Sequence, residues 1–308
     1  MAKNSSKNNS SAQLSETAEK TSSWRSAFVL MRIPFSVFLM PVFWFALSNA
    51  GDFEAWDAFW VFIIIHVFLY PASNGYNSYF DKDEESVGGL KSPPPVNDEL
   101  FKLVMIFDGL AVFGAWLISP LFSMMALVYT MVSKAYSIDK IRLKQYPVIS
   151  TTVVTVFQGA FTYGMVLIGL DEPIGETQMM YAAISTFLIS GSYPLTQIYQ
   201  HKEDEERGDK TLSMMLGIKG TFIFSAIMFS VGFAGLMICY FFEDRFTDMI
   251  LMGLASLPIA YYFTRWMYLS WQDEDHVNHR NTMNMNAIAS LSLSATFIVL
   301  MFIHHYGG

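Results

Sequence analysis

The chain has 308 residues, of which 53% are hydrophobic, 16% aromatic and only 15% charged, and its mean hydropathy is +0.33. That balance excludes an ordinary soluble domain and indicates a polytopic membrane protein. A net charge of −8 with no basic stripe excludes a nucleic-acid surface, and a lone cysteine, Cys239, excludes an intramolecular disulfide framework or a cysteine metal site.

Residues 1–24 are polar and rich in Ser, Asn and Lys, so they are expected to form a disordered cytoplasmic tail and not a cleavable signal peptide. Beyond them, over 25–308, apolar stretches recur near 27–49, 56–79, 101–119, 121–137, 147–169, 178–199, 218–241, 247–270 and 285–305. Most are close to the ~20 residues that a helix needs to cross a ~30 Å hydrocarbon core. The expected fold is therefore an all-α membrane protein of nine transmembrane helices. Pro120 is expected to break the third stretch from the fourth.

Lysine and arginine set the orientation. The N-terminal segment carries Lys3, Lys7, Lys20 and Arg25, and the even connections carry groups such as Lys134, Lys140, Arg142 and Lys144. Odd connections are acidic and hold only Arg245. The positive-inside bias then puts the N-terminus and the even connections in the cytoplasm and the C-terminus outside.

Two acidic, amide-bearing turns close the second and sixth stretches on that side. Residues four apart on a helix stay on one face, so Asn77, Asp81 and Glu85 are expected to line up, with Asn74 a turn deeper. Gln200 and Asp204 repeat the spacing, with Gln197 a turn deeper and Glu203 alongside. One acidic loop is usually just solvated. Two of them, each preceded by amides and each closing an even stretch, suit Mg²⁺, which bridges one or two carboxylates to substrate phosphates.

These residues resemble the UbiA-type intramembrane prenyltransferases, whose members have an Asn-xxx-Asp-xxx-Asp motif after the second helix and an Asp-xxx-Asp motif after the sixth. Asn77, Asp81 and Glu85 match the first, with Glu in the last place. Leu30, Met31, Arg32 and Pro34 are similar to the family's opening segment. Tyr136, Ser137, Arg142, Leu143, Lys144 and Pro147 resemble its loop after the fourth helix. Gly208, Lys210 and Thr211, followed by Leu216 and Gly217, resemble the segment that trails the second motif. In that motif Asp204 matches the second acid, while Gln200 stands where the first acid belongs.

The resemblance implies a UbiA-like bundle with a central cavity, and Mg²⁺-dependent transfer of a prenyl group from a polyprenyl diphosphate to a lipophilic acceptor. It implies Asp81 and Asp204 as catalytic residues. Metal ligands would come from Asn77, Asp81, Glu85, Asp204 and Asp209, and diphosphate contacts from Arg32, Asn77, Lys91, Arg142, Lys144 and Gln200. Membrane lipids are the expected surroundings, and no obligate protein partner is evident.

Tyr70, Tyr76, Tyr136, Tyr163 and Tyr193 are candidate cavity aromatics, although most aromatics in such a chain pack between helices or against lipid. Asp108 and Gln158 are apolar-stretch polar groups outside the family pattern. His276 and His279 sit in a polar connection that reads better as a solvated loop than as a zinc site. A transporter, or a UbiA-fold protein with altered catalysis, is the rival reading.

Overall fold

The computed structural model describes residues 23–82 and 84–306; the expected tail lies, through residue 22, outside the described residues. Within them the chain is helical, with a single isolated bridge between Val87 and Leu90. In chain order the helices are α1 Ser23–Ser48, α2 Ala55–Asp81, α3 Asp98–Ile118, α4 Pro120–Ser137 and α5 Pro147–Gly169. They continue as α6 Glu176–Ser192, the short α7 His201–Glu206, α8 Leu212–Phe242, α9 Phe246–Gln272 and α10 His279–Tyr306.

Among the described residues seven of these, α1, α2, α3, α5, α8, α9 and α10, are long and apolar enough to cross a membrane. Helices α4 and α6 occupy the places of the expected fourth and sixth spans. They have 18 and 17 residues, and α4 ends in Ser133, Lys134, Tyr136 and Ser137. The expected nine thus stands at seven by length and apolarity among the described residues, because α6 is short and α4 gives its last turns to polar residues. The break at Pro120 is present: Ser119 turns extended and caps α4 through a bond from Phe122 N.

Three helices are interrupted, two of them beside a proline that removes a backbone donor. In α1 the turn at Met31 and Arg32 gives way to a 3₁₀ segment, Ile33–Leu39, that opens with Pro34, and Arg32 is left-handed at φ 50°. In α2 a π segment, Ile63–Leu69, precedes Tyr70 and Pro71, and in α5 a second runs over Phe157–Phe161. Such bulges tend to sit at functional sites. The two are joined across the bundle by Tyr70 Oη and Thr162 Oγ1 at 2.9 Å, and Thr162 Oγ1 in turn bonds to Phe157 O.

Close approach of α5 to α6 depends on Gly159. A Cβ there would lie 2.6 Å from Thr186 Cα and 2.7 Å from Thr186 N. Thr186 Oγ1 also accepts from Ala160 N, satisfying a donor freed by the π segment.

Packing follows the composition. The Phe45 ring lies 4.7–5.4 Å from those of Phe297, Tyr181 and Tyr163, while Trp116, Leu117, Phe242 and Leu257 stay exposed, as expected where lipid is the solvent. At the bundle end remote from the two motifs, Arg245 gathers four elements. It donates to Asn49 Oδ1 at 2.6 Å, to Asp248 Oδ2 at 2.6 Å and to Tyr181 Oη at 3.1 Å, and His304 reaches Asp248. That network closes one end, leaving the other for the motifs.

Candidate functional site

Helix α2 carries Ser73, Asn74, Asn77 and Asp81 down one face, into one cavity. The facing walls come from Tyr129, Val132, Ser133, Tyr136 and Ser137 of α4 and from Val153, Val154, Phe157 and Gln158 of α5. The chain leaving α6 adds Tyr193, Gln197, Tyr199 and Gln200, followed by Asp204 of α7 and Asp209. Arg32, Phe35 and Gly88 close the rim.

The acids and cations at that rim are interlocked. Lys144 Nζ stands 2.6 Å from Asp81 Oδ1 and 2.8 Å from Asp209 Oδ2. Arg142 forks onto both oxygens of Asp209 at 2.9 Å and lies 3.8 Å from Asp81. Two charge-assisted bonds in a planar fork are the geometry that favours arginine over lysine. Asn77 Nδ2 donates to Asp81 Oδ2 at 2.6 Å and to Ser137 Oγ at 3.2 Å, which fixes the carboxylate on the helix face.

Arg32 owes its place to the left-handed turn before Pro34. From there its guanidinium donates to Gly88 O, Asn74 O and Asn77 Oδ1 at 3.2–3.4 Å. The second motif is tied down by Gly208, whose φ of 75° lets Asp209 N reach Asp204 O at 2.9 Å. Glu203 joins the two motifs: it accepts from Glu84 N at 3.2 Å and from Arg207 at 3.0 Å.

These contacts set the charge states. Burial pushes the Asp209 carboxyl up, but bonds from Arg142 and the Lys144 charge outweigh it and hold it below the ordinary carboxylate range. Burial likewise pushes Lys144 down, and Asp81 and Asp209 outweigh it, so the ammonium is raised above its ordinary value. Its bonds to Asp209 also raise Arg142.

Three of the sequence candidates do not line the cavity: Arg142, which stands behind its walls on Asp209, and Glu85 and Lys91. Helix α2 stops at Asp81, where Lys82 turns left-handed at φ 52°, so Glu85 does not continue the helical face and is exposed beyond it. Lys91 is also exposed and lines nothing here. The helical spacing expected through Gln197 and Gln200 is replaced by a 3₁₀ turn, Pro194–Thr196, because Pro194 cannot continue α6. Those two amides still line the cavity.

Of the candidate tyrosines, Tyr136 and Tyr193 line the cavity, with their hydroxyls 2.7 Å apart, whereas Tyr70, Tyr76 and Tyr163 do not. Tyr129, Phe157 and Tyr199 were not anticipated. Tyr129, Val132, Ser133 and Tyr136 follow the i, i+3, i+4, i+7 rule, so helical spacing back from Tyr136 would have found the α4 wall. Asp108 pairs with Lys134 at 2.7 Å between α3 and α4, which accounts for its charge without a role in the cavity.

Asp81, Asp204, Asp209 and the amides supply the hard oxygen ligands that Mg²⁺ takes. Among the described residues no three His, Cys, Asp or Glu converge into a ready cage. The set therefore fits an ion that completes its shell with phosphate oxygens and water.

Over residues 38–288 the sequence matches the UbiA prenyltransferase family. The chain belongs to that family. Its UbiA fold is similar to a UbiA homolog from Archaeoglobus fulgidus bound to GPP and Mg²⁺, with a TM-score of 0.67 and 16% identity, over 90% of this chain and 99% of the other. It is similar also to the apo structure of a UbiA homolog from Aeropyrum pernix K1, again at TM-score 0.67 and 16% identity, over 87% and 98%. A digeranylgeranylglyceryl phosphate synthase structure follows at 0.56 and 14%, over 89% and 98%. No curated protein matches the sequence. This UbiA protein is an integral, multi-pass membrane protein with a prenyltransferase fold.

Proposed function

We propose that the protein transfers a prenyl group from a polyprenyl diphosphate to an aromatic or other lipophilic acceptor within the membrane. The observation that carries this reading is the rim where Asp81, Asp204 and Asp209 meet Arg32, Arg142 and Lys144 above a cavity walled by aromatic and apolar residues. Acids for a divalent cation and cations for a diphosphate occur together there, at the mouth of a space for an isoprenoid chain. Transporters place such groups near mid-bilayer; here the carboxylates sit at helix ends.

In this reading Asp81, Asp204 and Asp209, with Asn77 and Gln200 beside them, hold Mg²⁺, which when bound supplies positive charge to the leaving diphosphate. Lys144 and Arg142 swing from their carboxylates to the phosphate oxygens, and Arg32 adds a preset donor. The prenyl carbon–oxygen bond breaks with its electron pair on the diphosphate. The acceptor supplies the pair for the new bond and loses a proton. Tyr129, Tyr136, Phe157 and Tyr193 present ring faces to the allylic cation and keep water away. Glu85 and Lys91 join only if the loop after α2 folds over the bound diphosphate.

The same reading takes α4 and α6 as spans, for nine in all, with both motifs on the cytoplasmic side, the N-terminus cytoplasmic and the C-terminus outside. Gln200, in the place of an acid, favours a second reading, a UbiA-fold protein with altered catalysis. Release of diphosphate from geranyl diphosphate by purified protein, with and without Mg²⁺, separates the two. Release that requires Mg²⁺ supports the enzyme; folded protein that neither binds nor cleaves any prenyl diphosphate sinks it.

A further inference from the structure

We infer that His304 is a proton-held latch at the bundle end remote from the two motifs. As the imidazolium it ties the end of α1 to the start of α9, and as the neutral imidazole it must release one of them. The latch does not depend on the transferase reading.

Both ring nitrogens face acceptors. Nδ1 stands 2.9 Å from Ser48 O, and Nε2 stands 3.1 and 3.3 Å from the two carboxylate oxygens of Asp248. A neutral imidazole carries one N–H and can serve one of these partners, whereas the imidazolium donates to both. Ser48 O needs such a donor because Ser48 is the last residue of α1, beyond the helix's own hydrogen bonds. The carbonyls before it, Ala46 O and Leu47 O, are taken by Asn49 N and Ala50 N.

Helix ends favour the charged form. His304 lies in the last turn of α10 and meets the last carbonyl of α1, so two C-terminal ends turn their partial negative charge toward it. Asp248 lies in the first turn of α9, where an anion is favoured.

The surrounding charges agree. Arg245, from the connection between α8 and α9, donates to Asp248 Oδ2 at 2.6 Å and lies 3.3 Å from Glu243. Asp248 is only 2% exposed. One guanidinium against two carboxylates leaves one negative charge over, and protonated His304 balances it. Tyr181 and Tyr240 bear on Arg245, through a hydroxyl at 3.1 Å and a ring face at 4.6 Å, and His305 packs edge-on against Phe53. Arg245 Nη2 opposes the charge, 3.4 Å from Nδ1. It also supplies the open state: once the proton has passed to solvent, Nδ1 accepts from Arg245 and Ser48 O loses its donor. The His304 side chain is 28% exposed, so the proton can exchange with the solution on that side.

The test is backbone hydrogen exchange on purified full-length protein in detergent at pH 5.5 and pH 8.5, corrected for the intrinsic rate at each pH. Peptides covering 45–53 and 298–306 should be about fivefold better protected at the lower pH. His304→Gln, which keeps one donor and cannot take up the charge, should lose that dependence. The wild-type comparison stands even if the variant fails to fold. Equal protection at the two pH values, better protection at pH 8.5, or the same dependence in His304→Gln overturns the inference.

Discussion

The Lys144 ammonium lies 2.6 Å from an Asp81 carboxylate oxygen and so ties the loop before α5 to the end of α2. Asp209 takes the other side of the same ammonium at 2.8 Å. In this state one lysine occupies the position between two acids that, on the proposed reading, a divalent cation and a diphosphate would come to share. On that reading substrate binding would be an exchange of partners within a preformed cluster.

Lys144→Met should leave Asp81 and Asp209 poorly compensated. Removing one partner of such a buried cluster costs about 3 kcal/mol. Added Mg²⁺ should recover much of that loss, so the thermal midpoint of the variant should rise with Mg²⁺ more than that of the wild type. Equal responses in the two proteins would show that the bridge does not compete with the cation.

Asp81→Asn keeps the shape of the side chain and its packing beside Asn77 while removing the charge. Mg²⁺-dependent release of diphosphate should fall on the order of 10²-fold. Undiminished release at saturating Mg²⁺ would rule out Asp81 as a ligand.

Gln200→Asp restores an acid to the second motif, on a wall that already holds Asp204. A further hard, charged ligand should lower the Mg²⁺ concentration needed for half-maximal diphosphate release. A higher requirement would mean that the amide at 200 has its own contact with the substrate.

Gly159→Ala places a methyl group against the Thr186 backbone, which cannot rotate away. Overpacking of this kind costs about 1–3 kcal/mol, so the melting temperature in detergent should drop measurably. No drop would mean that α5 and α6 separate easily.

His201 closes the second motif through a 2.7 Å bond to Ser213, and burial holds its imidazole below the ordinary histidine value. The unfolded chain then binds the proton more readily. Stability from this group is complete above the unfolded value of about 6.5 and declines as pH falls toward the lower folded value. Thermal midpoints measured from pH 7.5 down to about 5.5 should fall less steeply for His201→Gln than for wild type. Identical slopes would remove His201 from the account.

Much of the site was legible in sequence because helices repeat every 3.6 residues. Asn74, Asn77 and Asp81 reach one cavity because three- and four-residue spacing keeps side chains on one face, and Gln200 and Asp204 follow the same arithmetic beyond the Pro194 turn, where Asp204 N bonds to Gln200 O. The rule failed at Glu85, because no local signal strong enough to read marks Lys82 as the left-handed stop of α2. The apolar stretches at α4 and α6 fold into helices less clearly fit to span than the other seven, since α6 has 17 residues and α4 ends in Ser133, Lys134, Tyr136 and Ser137.

The sequence by itself determined that the chain lives in a membrane, that it is helical, and that amides and acids recur at two helix ends. Those properties are local, since hydropathy and periodicity act along the chain. Only the tertiary structure decided that Lys144 and Arg142 bind Asp81 and Asp209, and that Arg32 bends back onto Asn77. Those are contacts between residues tens of positions apart. Their energies depend on which charges and hydrogen bonds meet once water has been excluded, and that is fixed by packing.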